Sequence, residues 1–276
     1  EDFTMMTEKE VFLETNSFMI ENIDTEEENT EKTETLSVLG FLKGESDYTL
    51  MLDAHIDQIA MVVTDIDDNG FLTVSNAGGI DIRALPSRTV TVHGKEKISA
   101  VFCATPPHLA TGEVEYTDIA DIKLDTALGE KAKEIVSIGD YVTFSGDCFE
   151  LSKTTVCGRS FDDRAGVVCL LETAKRLSGK KLPINVAFSF STAEELGLRG
   201  VRATAYELEP QEAIAVDVTF GDGVGISSDE SCKLGSGAMI GLSPTLCKDL
   251  SQKLINIAKE NNIPHDLEIM SSTTGT

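Results

Sequence analysis

Residues 184–200 read INVAFSF-STAEELGLRG. The run Ile184–Phe190 is largely apolar, with only Asn185 and Ser189 polar, and of strand length, which predicts a buried strand. A helix is predicted from about Leu198 to Leu208, after the apolar run has ended. Between the two stand adjacent carboxylates, Glu194 and Glu195. A core strand that ends in a pair of acids needs a reason, and the rest of the chain supplies the context for one.

Downstream of Cys157, strands and helices alternate. A helix is predicted over Asp163–Leu177, with Val168, Leu171 and Ala174 on one face. Strand Ala213–Asp217, strand Ala238–Leu242, helix Thr245–Asn261 (Leu246, Leu250, Leu254 and Ala258 near one stripe) and strand His265–Met270 follow. Upstream, a helix is expected over Thr7–Ile23 and strands over Leu36–Leu42 and Tyr48–Leu52. Between Ile59 and Phe144 the texture differs. Short strands (IAMVVTDI, GFLTVSN, RTVTVHG, SAVFCA, YVTFSG) are separated by turn residues, and Asp68-Asn69-Gly70 is a strong hairpin signal. The fold class expected is α/β, a mixed sheet flanked by helices, with a small β-barrel-like domain inserted. The expected boundaries are residues 1–60 and 152–276 for the α/β domain and 61–151 for the insert.

Composition narrows the function classes. The net charge of −24 comes from 23 basic and 47 acidic side chains, a field that repels nucleic acid and anionic lipid. No apolar run approaches the roughly 18–20 residues of a membrane helix, and the acidic start, EDFTMMTEKE, is wrong for a secretory signal. The acidic run at residues 24–31 (DTEEENTE) reads as a solvated loop. Six cysteines form no C-x-x-C pair, so free thiols in a reducing cytoplasm are expected rather than disulfides or a cysteine zinc site.

Four polar groups share one position in this scheme. His55 and Asp57 follow the strand YTLML, Asp162 and Asp163 open a helix, Glu194 and Glu195 follow INVAFSF, and Asp217 ends AIAVD. In an open α/β sheet, ligands bind outside the carboxyl ends of the strands. Each group alone has a plainer explanation as a helix cap, a turn residue or a polar strand end. Together they would crowd several carboxylates. Two unit charges about 4 Å apart repel by roughly 4 kcal/mol at an effective dielectric near 20. Apart from Arg159 and Arg164, no basic cluster is at hand. Metal cations solve the problem, and mixed imidazole and carboxylate donors suit zinc, cobalt or manganese better than calcium.

These residues resemble family forty-two of the metallopeptidases, the glutamyl and tetrahedral aminopeptidases. Ala54-His55-Ile56-Asp57-Gln58-Ile59-Ala60 is similar to the family's A-H-x-D-E-I-G. Phe161-Asp162-Asp163-Arg164-Ala165-Gly166 resembles D-[DN]-R-x-G. Glu194-Glu195-Leu196-Gly197-Leu198-Arg199-Gly200 resembles E-E-[VI]-G-x-R-G, and Ala215-Val216-Asp217 its third acidic strand end. Gly70-Phe71-Leu72, Gly78-Gly79, Pro106-Pro107-His108 and Ile138-Gly139-Asp140 resemble its inserted domain.

The resemblance implies an aminopeptidase with two divalent metals per subunit, zinc or cobalt. Asp162 would bridge both ions, His55 and Asp217 would bind one and Glu195 the other. Glu194 would be the catalytic general base on a metal-activated water, and Asp57 would orient the His55 imidazole. It also implies short peptide substrates and a homo-oligomer, as large as a dodecamer. Gln58, Ala60 and Ala193 depart from the family's usual residues. The chain stops at Thr276, where a G-T-D-A-like segment would begin, so a truncated chain without the family's last histidine ligand is expected. His93, His108 and His265 are expected at the surface or in turns. A deacylase or carboxypeptidase-like relative of the same fold, or a metal-free scaffold, are the alternatives.

Overall fold

The computed structural model describes residues 30–32, 37–106, 108–109, 116–226, 231–270 and 274. The helix expected over Thr7–Ile23 lies outside them. In chain order the strands are β1 (Thr30–Lys32), β2 (Val38–Leu42), β3 (Thr49–His55), β4 (Ala60–Ile66), β5 (Leu72–Ala77), β6 (Thr89–His93), β7 (Lys97–Phe102) and β8 (Leu124–Asp125). A single helical turn, α1 (Ala132–Ile135), precedes β9 (Tyr141–Phe144), β10 (Phe149–Ser152) and β11 (Thr155–Cys157). Then come α2 (Phe161–Leu177), β12 (Asn185–Ser191), α3 (Arg199–Leu208), β13 (Glu212–Ala215), β14 (Ala238–Leu242), α4 (Lys248–Glu260) and β15 (His265–Ile269).

The sheet that organises the first unit, residues 1–214, runs β1-β2-β12-β3-β13. Every residue of β12 is buried, including the polar Asn185, Ser189 and Ser191, so it carries no charged residue. It lies parallel to β3 and antiparallel to β2, so the sheet is mixed as expected. Helix α2 packs on β3 and α3 on β12, and Ser189 and Thr204 share a buried hydroxyl–hydroxyl hydrogen bond of 3.2 Å between β12 and α3.

The face of α2 differs from the expected one. The buried residues are Asp163, Gly166, Val167 and Leu170, while Val168 is exposed. The chain enters the helix through a broken first turn, with non-helical dihedrals at Asp162 and Asp163.

The second feature of this unit is a closed barrel, β4-β5-β8-β7-β6-β9. Strict alternation fills it: Met61 and Val63, Leu72 and Val74, Val90 and Val92 point inward, and Phe102, Leu124 and Val142 close the core. At the expected hairpin, Asp67 Oδ1 accepts the Asn69 and Phe71 N–H groups at 2.8 and 3.0 Å, and Gly70 supplies the left-handed residue (φ +82°). β10 and β11 form a separate two-stranded ribbon.

The second unit, residues 215–276, holds the parallel pair β14–β15 with α4 packed on β14. Helix α4 buries Ser251, Ile255 and Ala258. It starts at Lys248, so Leu246, expected on its stripe, stands outside it and is exposed. Among the described residues no helix is long and apolar enough to cross a membrane. The six cysteines are free.

Candidate metal centre

The parallel register of β3 and β12 sets His55 directly beside Ser191, and the Ile56 N–H donates to the Ser191 carbonyl at 2.8 Å. Two strand ends therefore leave the sheet side by side. His55 finishes β3 fully buried, with its side chain 1% exposed.

Beyond Ser191 the chain enters a tight turn rather than a helix. Ala193 (φ 55°), Gly197 (φ 100°) and Leu198 (φ 58°) all take left-handed backbone, and the Glu194 carbonyl accepts the N–H groups of Gly197 and Leu198 at 2.8 and 2.9 Å. Helix α3 begins only at Arg199. The two glutamates thus occupy the crest of the turn. Gly200 lets the helix start pass close to the Thr192 backbone, where a Cβ would sit 2.6 Å from the Thr192 nitrogen.

Asp57 ties this turn to the end of β3. Its Oδ1 accepts the Glu194 N–H at 3.1 Å and its Oδ2 the Glu195 N–H at 3.3 Å. The same Oδ1 lies 3.5 Å from His55 Nδ1, whose hydrogen-bond partner is the Asp57 backbone carbonyl at 3.2 Å. Burial pushes the Asp57 carboxyl up, but the hydrogen bonds from His55 and the Glu194 backbone, with the charge of His55, outweigh it and hold the group below its ordinary value.

The adjacent aspartates at the start of α2 divide in direction. Asp163 is buried and caps the helix, with Oδ1 accepting the Gly166 N–H at 2.9 Å. Asp162 is 57% exposed, and its Oδ1 lies 2.7 Å from His55 Nε2. Both have non-helical dihedrals, and the peptide bond between them is cis. The segment is laced to the β3 end by three contacts. Arg164 Nη2 donates to the Ile56 carbonyl at 2.9 Å, Arg159 Nη1 to Gln58 Oε1 at 3.3 Å, and the Ser160 hydroxyl to the same Gln58 oxygen.

Glu194, with its side chain 11% exposed, brings Oε2 to 3.9 Å from His55 Nε2. One donor atom from each of His55, Glu194 and Glu195 lies within 4.8 Å of the others. One imidazole nitrogen and several carboxylate oxygens at a half-buried strand edge are a donor set that suits a divalent transition metal. Asp217 belongs to the second unit, two residues beyond the end of β13, where it is exposed and its Oδ1 accepts the Val218 N–H at 2.7 Å. The Ser191 hydroxyl donates to the buried Asp53 Oδ2 at 2.9 Å, a pairing the sequence does not signal, because a Ser and an Asp 138 residues apart carry no periodicity.

The pattern of the M42 glutamyl aminopeptidase family matches residues 37–276. The chain belongs to the M42 glutamyl aminopeptidase family.

Membership makes it a peptide hydrolase of the aminopeptidase class. This M42 chain is 28% identical over 248 residues to the lysyl aminopeptidase of Pyrococcus furiosus, covering 87% of the chain and 70% of the relative. Among solved structures it superposes on the TET aminopeptidase of a marine-sediment Thaumarchaeota archaeon with a TM-score of 0.86 at 26% identity, covering 97% of this chain and 78% of that one. It superposes on the Pyrococcus horikoshii TET1 peptidase, which can assemble into a tetrahedron or a large octahedral shell, with a TM-score of 0.81 at 30% identity, covering 95% and 79%.

Proposed function

We propose that this M42 peptidase is a two-metal aminopeptidase that removes N-terminal residues from short peptides. His55, Asp162, Glu195 and Asp217 would hold the ions, zinc or cobalt. When bound, the ions supply Lewis acidity, lowering the pKa of water toward about 7. Glu194 is the general base. It takes the proton of the attacking water and returns it to the leaving amine, so the carboxylate cycles between charged and neutral in each turnover. Its backbone is fixed by Asp57, and its side chain is only 11% exposed, which keeps the proton transfer between positioned groups.

The observation that carries this reading is the convergence of His55, Glu194 and Glu195 within 4.8 Å. Carboxylates packed this closely against an imidazole call for a cation, and Glu194 and Glu195 leave their turn as neighbours with separate roles open to them. The six free thiols agree with a reducing cytoplasm. Relatives that assemble into closed shells support a homo-oligomer, as large as a dodecamer, with the inserted β domain, 61–151, contributing contacts.

The test is hydrolysis of a panel of aminoacyl-p-nitroanilides after loading with zinc or cobalt. Activity on free N-termini that a chelator abolishes is expected. Cleavage of N-acetylated peptides instead would turn the reading into a deacylase, and activity that survives complete chelation would overturn the metal mechanism.

A further inference from the structure

Gly78 follows β5 on left-handed backbone (φ +99°). A Cβ placed there would lie 3.3 Å from both Cβ and Oε2 of Glu195, and 2.9 Å from Ile59 Cγ2. The bare main chain of this barrel residue is therefore a wall against which the Glu195 side chain rests. The turn is itself held, because Asn76 Nδ2 donates to the Gly78 carbonyl at 2.8 Å. A Cβ on the following residue, Gly79, would meet nothing within 4 Å.

We infer that Gly78 is a positioning residue for the metal centre. Acting through Glu195, the barrel holds one ligand of a site whose other groups hang from the α/β sheet. The inference rests on the reading of Glu195 as a ligand. Glu195 has its backbone N–H tied to Asp57, and the Gly78 main chain restricts the torsions of its side chain. Packing that locks such a side chain raises affinity because less freedom is lost on binding. A glycine can do this where no other residue can. Any side chain would displace Glu195 or Ile59, and it would be strained at this φ as well.

The competing explanation is that Gly78 is a glycine for its backbone angle only. Gly139 separates the two. It lies in the same barrel, in the connection that leads to β9, has φ +96°, and a Cβ there would meet nothing within 4 Å. Both positions pay the same backbone cost, and only one touches a proposed ligand.

The experiment titrates zinc into metal-free full chain by calorimetry, with thermal unfolding of each variant alongside. Gly78→Ala is expected to bind zinc roughly tenfold more weakly or worse, the loss typical when the support of a metal ligand is removed. Gly139→Ala, which carries the backbone strain without the clash, should bind like the wild type. Asn76→Ala, which removes one exposed hydrogen bond, should weaken binding in the same direction by less. Glu195→Gln tests the underlying reading, and unchanged affinity there would remove Glu195 from the ligand set and this inference with it. Weaker binding by Glu195→Gln, with Gly78→Ala and Asn76→Ala both indistinguishable from Gly139→Ala, would overturn the inference and leave the metal reading standing. Should Gly78→Ala fail to fold, the comparison of Asn76→Ala with Gly139→Ala decides in the same way.

Discussion

Asp57 grips Glu194 by its backbone: Oδ1 accepts the Glu194 N–H at 3.1 Å, and Oδ2 takes the Glu195 N–H beside it. One carboxylate thereby fixes the turn that carries both glutamates to the end of the strand that carries His55. Only a group with two acceptor oxygens does this. An asparagine offers one, and its NH2 faces an N–H it cannot accept. Asp57→Asn should therefore loosen metal binding by about 10–100-fold, the usual cost of disturbing the groups behind metal ligands, with turnover falling as well. Calorimetric zinc titration and kcat measured at saturating metal check this. Unchanged affinity would mean that the turn keeps its shape without Asp57.

Gly166 sits over the carboxylate that caps its own helix. A Cβ there would lie 2.8 Å from Asp163 Cγ, and Asp163 is fully buried and has no room to retreat. Gly166→Ala should cost about 1–3 kcal/mol of stability, as overpacking does. Gly79→Ala, whose new methyl enters open space, should leave the unfolding temperature unchanged. Equal unfolding temperatures for the two variants would contradict the packing argument.

His93 gives the barrel a pH dependence of known sign. Burial, then the positive charges of Lys97 and Arg159, push its pKa below the ordinary 6.5, and its Nε2 lies 2.9 Å from the Thr143 hydroxyl across β6 and β9. The unfolded chain takes up this proton more readily than the folded one. The contribution of neutral His93 is thus complete above 6.5 and is lost as pH falls through the lower folded value. Urea unfolding of wild type and His93→Gln between neutral and mildly acid pH should show the wild type losing more stability on acidification. Parallel curves would show that His93 titrates alike in both states.

The barrel depends on its fully buried side chains. Phe102 is 1% exposed and closes the β7 side of the core. Phe102→Ala should cost about 3–5 kcal/mol through lost burial and the cavity left behind, measured by denaturant unfolding. A loss well below 1 kcal/mol would mean that the barrel collapses around the gap.

The sequence was most readable where burial was complete. β12 announced itself because all seven of its residues are buried, and β4, β5 and β6 because one face is. β8 and the ribbon β10–β11 gave no such sign. β8 has two residues, and β10 is exposed throughout, so neither carries a period. The paired acids were visible as an anomaly at a strand end, but their setting was not. Glu194 and Glu195 occupy a left-handed turn rather than the first turn of α3, and nothing in the local sequence except Gly197 marks it. Asp163 as cap and Asp162 as the residue facing His55 likewise separate only in three dimensions. The contacts that shape the centre, Asp57 with Glu194 and Gly78 with Glu195, join segments more than a hundred residues apart and follow from no spacing along the chain.

The most direct test of the account is the single variant Glu194→Gln, with metal content verified. The side chain keeps its shape but can no longer take a proton. Zinc binding close to that of the wild type is expected, together with a fall in kcat on aminoacyl-p-nitroanilides of at least roughly 10². Turnover at the wild-type rate with metal bound would contradict Glu194 as the general base.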